Sequence, residues 1–215
     1  MKLRVPEMEG RSARWYAKQR GSAAQMAQYR RIAEKLSEQL PPGCDVLEVA
    51  PGPGYHAIEM ARLGHAVTGL DISRTMVEIA GENAARAGVT AGFRHGDATA
   101  MPFPDSSFDF IVCQAAFKNF LDPIAALDEM HRVLRPGGLA VIQDLNSAAT
   151  RADIAAEVAP MGLSRVNAAF VRFTLSWLRR RARTAEQFRE LAGRSAFGRA
   201  EVGAEGLSLE VRLRA

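Results

Sequence analysis

Cysteine is almost missing from this chain of 215 residues: Cys44 and Cys113 are the two, and neither has a second Cys or a His at ligand spacing. A disulfide framework and a bound structural metal are therefore not expected. Aromatic residues make up only 7%. The basic residues are spread along predicted helices without an aromatic stacking platform, which argues against nucleic acid as a partner. Apolar runs are short, and none approaches the roughly 18 residues of a membrane span, so no stable membrane insertion is expected. The N-terminal stretch MKLRVPEMEGRSARWY has no apolar core and no small-residue cleavage site. It does not read as a secretory leader, and a cytoplasmic location is expected. No repeat with a period of about 20–50 residues is visible. What is present is ordinary for a globular chain, 47% hydrophobic and 24% charged, with a length that suits one domain and an appendage.

The net charge of +4 hides a pattern. Residues 1–40 carry nine Lys/Arg against four Asp/Glu, residues 41–146 carry seven against thirteen, and residues 147–215 carry twelve against seven. An acidic middle thus lies between two basic flanks. The plain reading is solvated helix faces; the sharper one is a basic rim that attracts an anionic molecule.

Within the middle, strand and helix signals alternate. CDVLEVA (44–50), HAVTGLD (65–71), TAGFRHGD (90–97), SFDFIVCQA (107–115) and LAVIQDL (139–145) read as five strands. Between them, YHAIEMARLG (55–64) has helical spacing, and Ser73 caps a helix that stops at Gly88. DPIAALDEMHRVLRPGG (122–138) reads as a helix with Asp122 as cap, Pro123 at its first position and Pro136-Gly137-Gly138 as its stop. Such alternation means βαβ units and a mostly parallel sheet. Residues 11–39 read as one or two amphipathic helices, and 150–181 as helical. Thr184 to Gln187 forms a capping box, and 197–214 reads as a hairpin around Glu205-Gly206. The expectation is an α/β chain with seven strands, one of them antiparallel. It divides into an N-terminal helical cap over 1–40 and a sheet domain over 41–215 that includes a helical insertion at 147–196.

Open α/β sheets bind ligands beyond the carboxyl ends of their strands, so the residues just past each strand matter most. After the first strand comes Glu48-Val49-Ala50-Pro51-Gly52-Pro53-Gly54, a glycine loop that lets a ligand approach the backbone. Gly52 to Ala57 also satisfies the dinucleotide pattern G-x-G-x-x-A. Asp71 follows the second strand and can accept from both ribose hydroxyls. Gly96-Asp97-Ala98 follows the third, where Asp97 either accepts from an adenine amine or serves a turn. Three acidic residues, Glu48, Asp71 and Asp97, thus end three consecutive strands. A pyrophosphate would be repelled there, whereas a nucleoside carrying a sulfonium and an ammonium would be attracted. That separates S-adenosylmethionine from a dinucleotide.

At these residues the chain resembles a class I S-adenosylmethionine-dependent methyltransferase. The resemblance covers roughly residues 44–145 and is carried by VLEVAPGPG, GLDIS, GDATAMPFPDSSFD and EMHRVLRPGGLAVI. It implies a Rossmann-like sheet with helices on both faces and a helical N-terminal lid. It implies that Glu48, Ala50, Gly52 and Gly54 hold the methionine moiety, Asp71 the ribose with Ile72 near the adenine, and Gly96, Asp97 and Ala98 the adenine, with Gln114 also on the cofactor side. Ala50 stands where the family's first glycine is usual. Its methyl group is expected to crowd the backbone only slightly. A narrower likeness, AAFKNFLDP (115–123), is similar to a segment of the ubiquinone/menaquinone-biosynthesis methyltransferases, with Lys118-Asn119 where those have Arg-Asn.

Methyl transfer from a sulfonium is an in-line displacement for which an enzyme mainly supplies alignment and a dry pocket. No catalytic residue is assigned from the sequence; His56, at the start of the helix after the glycine loop, is the one histidine placed to act as a base. The acceptor is expected to be a small hydrophobic or aromatic molecule, held by Tyr16, Arg20, Phe117, Lys118 and Asn119. Residues 11–20 and 165–181 are expected to close over it, with Trp15 and Arg172 on those segments. A non-catalytic cofactor-binding regulator and a nicotinamide-dependent oxidoreductase are the other function classes weighed.

Overall fold

A computed structural model describes residues 8–215. Two helices lead in, α1 (Gly10–Arg20) and α2 (Ala23–Ser37). The alternating middle follows as β1 (Asp45–Val49), α3 (Tyr55–Arg62), β2 (Ala66–Asp71), α4 (Arg74–Ala87), β3 (Ala91–His95), β4 (Phe108–Gln114), α5 (Pro123–Val133) and β5 (Leu134–Leu145). The chain ends with α6 (Arg151–Val158), α7 (Arg165–Arg179), α8 (Ala185–Gly193), β6 (Glu201–Glu205) and β7 (Ser208–Arg214). The strands form one sheet in the order β3-β2-β1-β4-β5-β7-β6. β1 to β5 run parallel, and β7 enters antiparallel between β5 and β6.

Side-chain alternation along the central strands builds both faces of this sheet. Leu47, Val49, Ile111 and Cys113 point into one core with Leu127, Met130 and Phe188, which come from α5 and α8. Their neighbours Val46, Phe110 and Val112 point the other way, against Ala33 and Leu36 of α2 and Ala57 and Met60 of α3. A period of two with both sets apolar is what a strand covered on both faces requires. α1 packs on α4 through Ala13, Ala17, Met76 and Ile79.

The local stop and start signals act largely as expected. Ser73 accepts from Met76 N–H, Gly88 closes α4 in the left-handed region, and Asp122 accepts from Ala125 N–H. Thr184 and Gln187 form the reciprocal capping box of α8. One boundary differs: the helix expected over 122–138 ends at Val133, and β5 begins at Leu134. Leu134 pairs with Phe108, after which the register shifts until Leu139 pairs with Phe110. Pro136 and Gly137 (φ +81) therefore shape a bulge inside the strand rather than a helix stop.

Candidate functional site

β1 and β4 are neighbours in the sheet, while the crossovers that leave them run to opposite sides. Chains part at such a point and open a crevice. A cavity of about 1190 Å³ occupies it.

The glycine loop after β1 forms its floor. Ala50 (φ +57), Gly52 (φ +54) and Gly54 (φ +76) all have left-handed backbone. Ala50 N–H donates to Leu70 O at 2.8 Å, which ties the loop to β2. At Gly54 a side chain is impossible, because a Cβ would lie 2.8 Å from that of Ala80. At Gly52 a Cβ would meet nothing within 4 Å, so its backbone faces open space. Asn83 of α4 donates to Pro53 O at 2.8 Å and holds the loop from behind.

Glu48, Asp71 and Asp97 are among the carboxylates that line the cavity. Glu48 is 3% exposed, and its Oε2 lies 3.3 Å from His56 Nδ1. Asp71 is 7% exposed and accepts from Gly52 N–H at 3.0 Å and Ser73 N–H at 2.9 Å. Burial pushes its pKa up, against the lowering effect of those two bonds. Asp97 is exposed and accepts from the N–H and hydroxyl of Thr99, both at 2.9 Å, so it does serve a turn. None of these carboxylates is saturated, since each can accept about four hydrogen bonds.

Ala50, Gly52, Ile72, Gly96, Ala98, Gln114, Tyr16, Arg20 and Asn119 line the same cavity. Three residues expected at the site do not. Gly54 sits behind the loop, buried against α4. Phe117 is 0% exposed and packs in the core against Phe120 and Phe188, with ring centroids 5.0 and 5.3 Å away. Lys118 turns inward: its Nζ lies 2.9 Å from Asp144 Oδ1 and also donates to Ala115 O, and its side chain is only 7% exposed. The reason is the tight 3₁₀ turn Phe117–Asn119 after β4, which sends consecutive side chains in different directions. Trp15 is 65% exposed, and Arg172 is exposed as well.

Other lining residues escaped the sequence reading. Tyr29 of α2 accepts from Arg20 at 3.0 Å, and burial raises its pKa. Gln143 of β5 donates to Glu210 of β7 at 2.9 Å. Leu209 of β7 and Val171 and Leu175 of α7 supply an apolar wall. The pairing of β7 with β5 puts Glu210 beside Gln143, and no local pattern signals that. Asn83 had a signal: a polar residue on the inward face of an amphipathic helix. Two buried side-chain nitrogens at the cavity, His56 Nε2 and Gln114 Nε2, have no hydrogen-bond partner among the described residues.

Residues 47–142 match the methyltransferase-domain family. The demethylmenaquinone methyltransferase of Deinococcus radiodurans is 40% identical over 99 residues, which is 45% of this chain and 41% of that protein. The chain spans less than half the length of such curated relatives. An S-adenosylmethionine-dependent methyltransferase from Aquifex aeolicus superposes with a TM-score of 0.68 at 17% identity, over 93% of this chain and 96% of that one. A Methanococcus maripaludis protein, provisionally described as the same kind of enzyme, superposes with a TM-score of 0.75 at 21% identity, over 100% of this chain and 96% of that one. At those identities the two structures speak for the fold alone, an α/β sheet with helices on both faces.

Proposed function

From a methyltransferase domain over residues 47–142, we propose that this chain binds S-adenosylmethionine at the carboxyl ends of β1 to β4 and transfers its methyl group to a small hydrophobic acceptor in the same cavity. The observation that carries the reading is the convergence of Glu48, Asp71 and Asp97 with the open backbone of Gly52 on one cavity.

The residues present fit the ligand. Glu48 offers a buried carboxylate to an ammonium, Asp71 has acceptor capacity left for ribose hydroxyls, and the Gly96–Ala98 turn gives an edge for adenine beside Ile72. Three negative charges favour a cationic ligand and oppose a pyrophosphate. Bound S-adenosylmethionine supplies the methyl group and the leaving sulfide. The chain aligns the acceptor and excludes water. Tyr16, Arg20 and Tyr29, together with Val171, Leu175 and Leu209, line the remaining space. Gln114 has an unpartnered amide donor for a carbonyl or hydroxyl of the acceptor. His56 is held through Nδ1 by Glu48, and its Nε2 is the place for a proton where the acceptor must lose one. The relatives named for demethylmenaquinone, together with the AAFKNFLDP segment, favour a ring-bearing acceptor.

Titration calorimetry tests the cofactor. S-adenosylmethionine and its demethylated product are expected to bind with micromolar-order constants. Asp71→Asn, which removes the charge and can keep an acceptor for only one of the Gly52 and Ser73 amides, is expected to weaken binding by about tenfold or more. Heat with NAD or NADP, and none with either adenosyl ligand, overturns the reading. Methyl-labelled cofactor in a metabolite extract then identifies the acceptor and the accepting atom together.

A further inference from the structure

α7 has two apolar faces, and among the described residues only one of them is packed against the rest of the chain. Its inner face carries Ala168, which is buried, and Val171 and Leu175, which line the cavity. The opposite face carries Val166, Phe170, Phe173 and Trp177, spaced four, three and four residues apart, so they form a single stripe along the helix. Their exposures are 78%, 70%, 71% and 49%. Met161 and Leu163, 46% and 39% exposed, precede the helix and add further apolar surface. An isolated exposed apolar side chain needs no explanation, whereas a run of this size marks a surface that something covers.

The charges around the stripe say what covers it. Between Glu157 and Glu186 the chain has no acidic residue, yet it holds Arg165, Arg172, Arg179, Arg180, Arg181 and Arg183. Arg183 is buried near Phe117 and belongs to the core. On the helical wheel Arg165, Arg172 and Arg179, seven residues apart, lie together on the side of the helix between the stripe and the inner face. Arg181 places its guanidinium 5.5 Å from the centre of the Trp177 ring at the helix end. A helix with Phe and Trp on one side and only arginine among its charges suits an interface that is apolar inside and anionic at its rim.

We propose that α7 is a docking helix for an anionic lipid bilayer. It lies in the plane of the membrane surface, with Val166, Phe170, Phe173 and Trp177 in the acyl boundary and the arginines among the lipid phosphates. No described helix is long and apolar enough to cross a membrane, so the contact is peripheral. The inner face of the same helix lines the cavity. A lipid-soluble acceptor would therefore pass from bilayer to cavity beneath α7; this clause rests on the proposed methyl transfer, while the docking itself does not.

Vesicle flotation tests it with no reference to activity. The full chain carrying Trp15→Phe, so that Trp177 is its sole tryptophan, is mixed with vesicles of phosphatidylcholine alone or of equal parts phosphatidylcholine and phosphatidylglycerol. It is expected to float with the anionic vesicles, to shift Trp177 emission to the blue, and to release as salt rises. Phe170→Ser with Phe173→Ser is expected to weaken partitioning by about tenfold or more, and Arg165→Gln with Arg172→Gln to weaken it on anionic vesicles only. These positions are exposed, so an unchanged melting transition confirms each variant's fold. Three results would each overturn the proposal. The first is no flotation with anionic vesicles. The second is flotation that the phenylalanine pair leaves unchanged. The third is a dimer that the phenylalanine pair dissolves without any vesicle binding, which would assign the stripe to a second copy of the chain.

Discussion

Ala50 turns the chain at φ +57, in a region where an L-residue other than glycine loses roughly 1–2 kcal/mol. It stays there because its N–H is held by Leu70 O and the loop beyond it is clamped by Asn83 and Asp71. The sequence reading treated the missing glycine as a matter of crowding; the backbone makes it a matter of conformation. Ala50→Gly is expected to stabilise the fold by about 1 kcal/mol, read as a higher urea midpoint. A lower midpoint would show that the loop imposes no strain. Lys118 presents the opposite case, a charge whose value lies in its partner. Asp144 also accepts from the N–H groups of Lys118 and Leu145, both at 2.8 Å, and its side chain is 1% exposed. Lys118→Ala would leave that carboxylate buried and unpaired, at an expected cost of about 3–5 kcal/mol. A loss below about 1 kcal/mol would mean that water from the cavity reaches Asp144.

Elements are joined at the site by side chains that act across long stretches of chain. Glu129 and Arg132 of α5 grip the segment after β3. Glu129 accepts from Met101 N–H at 2.6 Å, and Arg132 donates to Met101 O, Phe103 O and Asp105. Two motifs quoted for the family resemblance, GDATAMPFPDSSFD and EMHRVLRPGGLAVI, are therefore halves of one clamp. At the other end Glu9 caps α4 from outside. It accepts from Arg74 N–H at 2.8 Å, from Thr75 N–H at 3.1 Å and from the Thr75 hydroxyl. The Thr75 hydroxyl, first among these, holds the Glu9 carboxyl below the ordinary glutamate range. A carboxylate with a lowered folded-state pKa contributes above its unfolded value, and that contribution is lost as pH falls through the folded value. Glu9→Gln at neutral pH, or acidification of the native chain below the glutamate range, is expected to speed hydrogen exchange in α1 while the central strands keep their protection. Equal protection of α1 in both would place its anchor in Ala13 and Ala17 alone.

Across the whole molecule, the sheet was legible because its signals are local. Five apolar runs broken by glycine and proline, the caps at Ser73, Asp122 and Thr184, and the alternation of strand and helix are read within windows of ten residues. They place the carboxyl ends of β1, β2 and β3 on one edge, and with them Glu48, Asp71 and Asp97. The directions of side chains in the tight turn after β4 were not legible. Phe117 and Lys118 stand beside Asn119 in sequence, yet one enters the core, one pairs with Asp144, and Asn119 reaches the cavity. The acceptor side depends on contacts between residues far apart, such as Tyr29 with Arg20 across two helices and Gln143 with Glu210 across two strands. The sequence by itself determined the order of elements, the strand-end carboxylates and the glycine loop, because hydrophobic period and backbone stereochemistry act between near neighbours. Only the tertiary structure decided which polar groups are consumed by internal pairs and which face the cavity. It also decided that the apolar stripe of α7 is left largely exposed by the described chain, because burial is a property of what packs around a side chain and not of the residue itself.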